Sequence, residues 1–143
     1  MRLTQHFFLR QAELLADITG GDLLLGVVFI AISSANTGYL AEPSNDQHGY
    51  ADLDDLPPDE LRRPVSVLAI AESLRLPYET ARRYVARLEA QGLVRRVGRQ
   101  GVIVPTSALM TSDLIEKTRR SFNDVQRFVV GLRRAGVDVD SMR

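Results

Sequence analysis

The side chains best suited to chemistry in this sequence are arginines, and they are concentrated in one segment. Residues 62–104 carry nine Arg against three Glu, a net charge of +6. A guanidinium forms two parallel hydrogen bonds to a phosphate group or to the edge of a guanine base, a geometry that the ammonium of Lys cannot supply. The segment therefore has the charge of a surface that binds a polyanion.

The rest of the chain cancels this charge. Eighteen basic and eighteen acidic side chains give the 143 residues a net charge of zero. Residues 42–61 carry seven acids and no base, while residues 1–41 sum to −1 and residues 105–143 to +2. Because nothing attracts the whole protein to nucleic acid or to an acidic membrane, this distribution predicts a local binding patch.

Few residues are suited to catalysis. The chain has no Cys, which removes thiol catalysis, thiolate metal sites and disulfides, and its two His, His6 and His48, lie in different segments. The sequence contains no serine-hydrolase elbow, no His-Glu-x-x-His motif and no glycine-rich phosphate loop. We therefore expect no enzyme activity, no catalytic or metal-binding residues and no cofactor.

Two helices are predicted in the first 41 residues. Apolar side chains at helical spacing indicate a helix from Thr4 to Thr19, which Gly20-Gly21 ends. Asp22 is positioned to cap a second helix, Leu23 to about Tyr39, by accepting hydrogen bonds from its first amides. These helices are expected to supply core or dimer contacts.

The second helix raises the question of a membrane span. Residues 23–41 contain no charged side chain, but the strongly apolar part ends at Ile32 and no basic cluster flanks it. We expect a helix buried in the core or at a subunit interface, and no membrane partner. The N-terminus shows no signal-peptide pattern, and a chain without Cys fits a reducing compartment, so we expect a cytoplasmic location.

Residues 42–61 are predicted to be an acidic linker or surface loop. Pro, Asp, Asn and Gly are abundant there, and such a segment buries too little apolar surface to offset the entropy of ordering. The acidic residues do not form a calcium-binding loop that begins at Asp52. Such a loop needs Gly at its sixth position and Glu at its twelfth, where this sequence has Pro57 and Arg63.

The basic segment has the pattern of two short helices followed by two strands. Ser66 is positioned to cap a helix of about nine residues, which Arg75-Leu76-Pro77 ends. A second helix is predicted from Tyr78 to Gln91, and the strands Leu93–Val97 and Gly101–Val104 follow. The side chains predicted to point inward are Val67, Leu68, Ile70, Ala71 and Leu74 on the first helix, and Ala81, Val85 and Leu88 on the second.

This segment resembles the winged helix-turn-helix of bacterial transcription regulators, in particular the isocitrate-lyase-regulator, gluconate-repressor and multiple-antibiotic-resistance-repressor groups. The similarity covers residues 62–105, less than a third of the chain. Arg75 departs from the pattern, since many such motifs have Gly there, and it would be strained only at a positive φ. The residues that carry the resemblance are Ala71, Leu74 and Leu76 in the first helix, Thr80, Ala81 and Arg83 early in the second, and the run Leu88-Glu89-Ala90-Gln91-Gly92-Leu93-Val94.

The resemblance implies a mainly α fold with a small β-hairpin wing, flanked by extra N-terminal and C-terminal helices, and a function in sequence-specific DNA binding. The second helix, residues 78–91, would enter the major groove, and the wing, residues 95–104, would lie along the backbone or the minor groove. The candidate DNA-binding residues are Ser66, Tyr78, Glu79, Thr80, Arg82, Arg83, Arg87, Arg95, Arg96, Arg99 and Gln100.

Two other interpretations stay open. Glu79 and Arg83 stand four residues apart and would form a solvated helix pair worth about 0.2–0.5 kcal/mol, with no ligand involved. Some winged domains bind only proteins, in which case the acidic loop would fold over the basic segment and the domain would dock another protein. Retardation of DNA in a gel that falls steeply with salt distinguishes DNA binding from that alternative.

Residues 106–143 are predicted to contain one long helix, Ser112 to about Ala135. Its apolar positions follow the spacing of a coiled-coil seam, which fits either a dimer contact or packing on the chain's own core. With the N-terminal helices, we expect it to form a homodimer that binds a palindromic site and regulates transcription. A pocket lined by the first two helices would admit a small apolar effector, although no residue pattern requires one. The seam positions are Ile115, Thr118, Phe122, Val125, Val129 and Leu132.

Overall fold

The computed structural model describes residues 1–41 and 55–142. Most of the predicted acidic loop, residues 42–54, lies outside the described residues, as does His48. The described part is mainly helical with one two-stranded antiparallel sheet, in agreement with the predicted fold class at that level. The elements are α1 (Arg2–Ile18), α2 (Leu23–Thr37), α3 (Val67–Leu74), α4 (Tyr78–Ala90), β1 (Arg95–Val97), β2 (Gly101–Ile103), α5 (Thr106–Leu109) and α6 (Ser112–Arg134), with short 3-10 helices at Gly38–Ala41 and Asp59–Leu61.

Most helix boundaries agree with the sequence prediction to within two residues. Asp22 caps α2 as expected, because its Oδ1 accepts a hydrogen bond of 3.1 Å from the Leu25 amide. The sequence analysis missed α5, since a single helical turn gives no periodicity to detect.

Helix α2 forms the centre of the core. Leu25, Val28 and Ile32 have no exposed surface. They belong to one apolar cluster of buried side chains, to which α3, α4, β2, α5 and α6 also contribute. The prediction of a buried helix is therefore confirmed. The cluster also contains Phe29, Ile70, Val85, Leu88, Val94, Val102, Val104, Ala108 and Leu114.

The apolar composition of α2 also fits a membrane span. Residues Leu23–Ala41 are long and apolar enough to cross a bilayer, by length and composition only. The core helix of a soluble protein passes the same test. Packing in the core accounts for the buried part of this composition, while Leu23 and Ile30 remain 45% and 43% exposed.

One buried polar side chain joins α2 to the sheet. The Asn36 Nδ2 donates hydrogen bonds to the carbonyl oxygens of Arg63 (2.7 Å) and Val102 (3.1 Å), and its Oδ1 accepts one from the Val104 amide at 2.9 Å. Asn36 has no exposed surface, so these bonds are shielded from water. The sequence showed Asn36 only as one of the polar residues that follow Ile32, and it did not predict that this side chain is buried.

Helices α1 and α6 pack antiparallel and form a helical hairpin. The Phe7 and Phe128 rings stack with centroids 4.7 Å apart, and Arg10 forms a 3.2 Å ion pair with Asp124. Further along, the Lys117 Nζ donates to the Asp17 carbonyl oxygen at 3.2 Å. The numbers rise in α1 as they fall in α6, which fixes the antiparallel direction.

The predicted seam of α6 is not the face that contacts α1. The polar and aromatic contacts with α1 come from Lys117, Ser121, Asp124 and Phe128, one position before most seam residues, and Gly131 faces Leu3 of α1. Ile115, Phe122 and Val125 of the seam remain 39%, 44% and 40% exposed. Packing on the chain's own core therefore buries only part of the seam. The reason is that α1 contacts a neighbouring face of α6.

Hydrogen bonds hold residues 57–62, where the basic segment begins, against the start of α5. The Arg62 side chain is buried and donates hydrogen bonds to the Pro57 carbonyl oxygen (3.1 Å) and the Thr106 Oγ1 (3.3 Å). Burial lowers the pKa of the Arg62 guanidinium. Asp59 accepts a 2.8 Å hydrogen bond from the Thr106 amide. Arg62 thus belongs to the interior and not to the basic surface in which the sequence analysis counted it.

Candidate nucleic-acid interface

Helix α3 begins at the predicted cap. The Ser66 Oγ accepts a hydrogen bond from the Ala69 amide at 3.1 Å, so this hydroxyl is engaged in capping. Ile70 and Ala71 are buried as predicted. Leu68 is 54% exposed, and the prediction that it points inward is wrong because it lies to one side of the stripe formed by the other four apolar residues.

The turn between α3 and α4 contains a left-handed residue. Arg75 has φ 54° and ψ 41°, and it is the one residue other than Gly with a positive φ among the described residues. This conformation lets the Leu76 amide donate to the Ala71 carbonyl oxygen at 2.9 Å and close the end of α3. A side chain at such a φ costs about 1–2 kcal/mol, so the departure from Gly has an energetic consequence.

Helix α4 has a sealed face and an open face. Ala81, Val85 and Leu88 have no exposed surface, which confirms the predicted inward set. Their spacing of four and three residues places them on one side of the helix. On the other side Glu79, Arg82, Arg83, Ala86 and Arg87 are exposed, as is Tyr78 at the start, whereas Thr80 is half-buried and less open than predicted.

Strands β1 and β2 form a hairpin that is basic on one strand and apolar on the other. Arg95 pairs with Ile103 and Arg96 with Val102 across the antiparallel ladder. Both Arg are exposed, whereas Val102 and Ile103 are buried. Val65 adds a third extended segment through two backbone hydrogen bonds with Val102. The hairpin is thus fixed to the core by β2 and presents β1 to solvent.

Four arginines of this surface form ion pairs with carboxylates of the same chain, and each keeps about half of its side chain exposed. These pairs offset part of the positive charge, and a bound anion would compete with them. The pairs are Arg82 with Glu79 (2.5 Å), Arg87 with Asp22 (2.9 Å), Arg95 with Asp59 (3.2 Å) and Arg96 with Glu89 (2.9 Å).

The pair on α4 differs from the one that the sequence suggested. Glu79 binds Arg82 three residues on, through both carboxylate oxygens, and not Arg83 four residues on. The hydrogen bonds from Arg82 lower the pKa of Glu79, and the nearby Arg83 charge contributes to the same direction. The pKa of Arg82 is raised by the same hydrogen bonds. The sequence could not choose between the two partners because both spacings bring side chains together on a helix.

Arg87 is held on the side of α4 that faces the start of α2. Its guanidinium binds the Asp22 Oδ2 and lies 5.4 Å from the centre of the Tyr84 ring. The Asp22 carboxylate thus caps α2 with one oxygen and binds α4 with the other. Its pKa is lowered, first by the hydrogen bond from the Leu25 amide and then by Arg87.

Three arginines of the surface form no side-chain hydrogen bond or ion pair with the described residues. They are Arg75 in the turn, Arg83 on α4 and Arg99 in the loop of the hairpin, and all three are exposed. Gln100, beside Arg99, is also exposed. Of these, Arg75 was not among the predicted site residues, although its position in the turn between the two predicted helices was visible in the sequence.

Together, these residues form a basic surface on α4, the preceding turn and the hairpin. Its donors are guanidinium groups, a tyrosine hydroxyl and a glutamine amide, which suit phosphate oxygens and the acceptor atoms of base edges. Within the described parts of the chain, no group of three or more His, Asp or Glu side chains could hold a metal ion.

Comparison with known proteins adds no relative: no family model, curated protein or solved structure matches the chain.

Proposed function

We propose that the chain binds duplex DNA through α4 and the β1–β2 hairpin, and that it is a transcription regulator of the winged helix-turn-helix type. The order of the elements supports this proposal, since α2, the extended Val65, α3, α4 and the hairpin follow one another. In helix-turn-helix proteins the second helix of the pair enters the major groove and the first crosses the backbone. Helix α4 takes the place of the second helix, and the hairpin takes the place of the wing.

The observation that carries the proposal is the division of α4 into a sealed and an open face. A helix can enter the major groove only if one of its faces is free of the protein's own contacts. Arg82 and Arg83 lie on the free face, near the end of α4 that enters the groove first in such proteins. The 13 residues of α4 are long enough to present them.

Each exposed donor has a role in this proposal. Arg83 reads a guanine edge or binds a phosphate, and Arg82 does so after leaving Glu79. Arg99 and Gln100 lie along the backbone or the minor groove, and Tyr78 donates to a phosphate oxygen. Arg87, Arg95 and Arg96 act mainly by positioning, because carboxylates of the same chain hold them.

A single unit of this size contacts few bases, so we propose that the protein acts as a homodimer on a two-fold symmetric site. Two copies of α4 would then enter successive major grooves, about 34 Å apart. Doubling the contacts in this way brings affinity into the range of specific regulators. A cytoplasmic location follows from the same proposal.

The test begins with selection of bound fragments from a random duplex library, followed by sequencing. Binding of the selected fragment is then measured by fluorescence anisotropy at several salt concentrations. We expect Arg82→Ala and Arg83→Ala each to weaken binding by about 1–3 kcal/mol if they read bases. Arg99→Ala should weaken binding evenly across sequences and reduce the salt slope by about one, since it contacts phosphate.

Arg134→Ala is the matched control. This arginine is also exposed but lies at the end of α6, away from α4 and the hairpin, so its loss should leave the affinity unchanged. If Arg82→Ala and Arg83→Ala bind the selected fragment as tightly as the parent at every salt concentration, α4 is not the recognition helix.

The four ion pairs favour one alternative, a protein-binding module. Because these carboxylates already offset much of the basic charge, a surface of this kind could dock an acidic protein with little affinity for DNA. That alternative predicts no enriched sequence in the selection and no retardation of duplex DNA at low salt.

A further inference from the structure

We infer that Glu79 determines the base preference of α4. When Arg82 turns from Glu79 to the DNA, the freed carboxylate accepts a hydrogen bond from the N4 amino group of a cytosine in the major groove. The inference rests on the proposed function, in which α4 enters that groove, and it names a base that the DNA site must contain. The donors of the surface already have roles there, and Glu79 is the acceptor that lies among them.

Glu79 lies at the centre of the open face of α4. Successive residues of an α-helix are about 100° apart, so Glu79 and the fully buried Leu88, nine residues later, point in opposite directions. By the same geometry Arg82 and Arg83 lie on either side of Glu79, about 60° and 40° away. The Glu79 side chain is 61% exposed. Near the start of α4, the side chain that points most directly away from the core is therefore a carboxylate.

Small residues continue the line of Glu79 along the helix. Ala86 and Ala90 follow it by seven and eleven residues, which places each within about 20° of the same direction. Both are exposed. A helix with only methyl groups along its outermost line can lie close to the base edges on the floor of the groove. Glu79 needs this close approach, because its side chain is shorter than that of an arginine.

An acid at the centre of a basic surface weakens binding to DNA in general. The hydrogen bonds from Arg82 lower the pKa of Glu79, so its carboxylate is ionised at neutral pH. An ionised carboxylate accepts hydrogen bonds and donates none. It is repelled by the phosphates of the duplex and by every acceptor atom on a base edge. The position of Glu79 is thus unfavourable for binding unless a base donates to it.

Arg82 supplies the donors for Glu79 in the free protein. Its Nε donates to the Glu79 Oε2 at 2.9 Å, and its Nη2 donates to Oε1 at 2.5 Å. If Arg82 moves to a phosphate or a guanine, both carboxylate oxygens lose these donors. The loss is the same for every DNA sequence, but its compensation depends on the base that faces Glu79. Opening of the Glu79–Arg82 pair therefore selects among sequences.

Cytosine is the base that best replaces Arg82 as the donor. In the major groove cytosine presents its N4 amino group, whereas guanine presents the acceptors O6 and N7, and thymine presents the acceptor O4 and a methyl group. Adenine donates from N6 but places the acceptor N7 beside it, which repels the second carboxylate oxygen. Glu79 thus favours cytosine and rejects guanine and thymine, and the rejection contributes to specificity as much as the attraction does.

Stabilisation of the helix would also place an acid at this position. Glu79 lies in the first turn of α4, where a negative charge interacts favourably with the helix dipole, and its pair with Arg82 adds to this effect. Such a role does not depend on the DNA sequence. The base preference of the protein therefore distinguishes it from sequence reading.

The test repeats the fragment selection with the parent, Glu79→Ala and Glu79→Gln. We expect the parent to enrich a cytosine at one position of each half-site, and Glu79→Ala to lose the enrichment at that position alone. Replacing this C·G pair by T·A should weaken binding of the parent about 5- to 150-fold, and that of Glu79→Ala less than about twofold. Glu79→Gln should shift the preference toward adenine, since glutamine forms two hydrogen bonds with the adenine edge.

Glu89→Ala is the matched control. Glu89 also binds an arginine of the surface, Arg96, at 2.9 Å, but it lies in the last turn of α4. Its loss should leave the base preference unchanged. Glu79→Ala should in addition bind unselected duplex more tightly than the parent does, because the repulsion is gone and Arg82 is released. A purely structural role predicts the reverse, an even loss of affinity for all sequences.

Circular dichroism of each variant establishes that the helices are still formed, which is expected because Glu79 and Glu89 are exposed. If Glu79→Ala shows the same base preference as the parent at every position, the inference is overturned while DNA binding by α4 stands. A parent that enriches no sequence contradicts the proposed function itself, and the inference with it.

Discussion

The α1/α6 hairpin and the α3–α4–β-hairpin unit both pack against α2, and they leave opposite kinds of surface uncovered. On α4 the side chains of Ala81, Val85 and Leu88 are fully buried, and most of the exposed ones are charged or polar. On the α1/α6 hairpin several large apolar side chains stay exposed, with Phe8 the most exposed. Exposed arginines are stable in water, whereas each Å² of apolar surface left in water costs about 25 cal/mol. The first surface therefore presents mainly charged side chains to solvent, whereas the second presents large apolar ones.

The two regions also differ in how they are attached to α2. Backbone contact at Gly26 and apolar packing hold α1, whereas the β hairpin is attached through the buried amide of Asn36. Specific polar bonds fix one orientation, while apolar contacts tolerate small shifts. The following predictions test this contrast, from the largest expected effect to the smallest.

Asn36→Ala should have the largest effect on stability. It leaves the Arg63 carbonyl oxygen and the Val104 amide without their partner and removes one of the two hydrogen bonds to the Val102 carbonyl oxygen, which lowers the free energy of unfolding by about 4 kcal/mol. Urea denaturation measures the loss, and hydrogen exchange should show the earliest opening in β2. Ser34→Ala, an exposed change on the same helix, is the control. Equal stability of the two variants would show that the polar link is unimportant.

Gly26→Ala should destabilise the protein, whereas Gly131→Ala should stabilise it. A Cβ on Gly26 would lie 2.1 Å from the Leu15 carbonyl oxygen, so α1 and α2 must separate, at a cost of about 2–3 kcal/mol. A Cβ on Gly131 would lie 3.0 Å from the Leu3 Cδ2, the flexible end of a side chain. There the gain in helix propensity, about 1 kcal/mol, should dominate. Thermal unfolding of both variants tests the expectation, which fails if Gly131→Ala is the more destabilising change.

Arg75→Gly should raise the stability of the protein but lower its affinity for DNA. Glycine adopts a positive φ without strain, so the free energy of unfolding should rise by about 1 kcal/mol. DNA binding should weaken, because an exposed guanidinium next to α4 is lost. Arg75→Lys keeps the charge and the strain, and it should retain most of the affinity. Unchanged binding by Arg75→Gly would remove Arg75 from the interface.

Low pH should reduce the stability of the protein by protonating Asp22 and Asp59, and we expect this effect to be smaller than those of the substitutions above. Hydrogen bonds from Thr106 lower the pKa of Asp59, and those from Leu25 and Arg87 lower the pKa of Asp22. A carboxyl with a lower pKa when folded contributes stability above its unfolded pKa, about 3.9, and loses it as the pH falls through the folded pKa.

The urea midpoint should therefore fall as the pH is lowered from 5 to 3, about the range set by these pKa values. Asp22→Asn and Asp59→Asn should each reduce this slope, while Glu116→Gln, an exposed change on α6, should not. A slope that both Asn variants leave unaltered would mean that other carboxylates set the acid sensitivity.

Much of the fold could be predicted because its signals are local. Asp22 and Ser66 cap helices with their own next residues, and Ala81, Val85 and Leu88 repeat at the period of one helix. These features depend on side chains at most a few residues apart, so the sequence contains all the information they need.

The candidate site could be predicted only in part. The positions of the exposed Arg on α4 followed from the helix period, but the partners of Arg87 and Arg95 did not. Asp22 and Asp59 reach them from distant parts of the sequence. That Arg83 and Arg99 form no ion pair with a described carboxylate also depends on how the chain folds, and not on the helix period.

By itself the amino-acid sequence determined where the helices and the two strands form, which face of α4 is apolar, and that positive charge gathers in residues 62–104. Tertiary structure decided which apolar faces are covered, that Arg62 and Asn36 lie in the interior, and which arginines are tied to carboxylates. The physical reason is that helical periodicity defines an apolar face but not the direction from which another helix approaches it. That direction depends on the packing of all the elements together, and it left Phe8 and part of the α6 seam exposed.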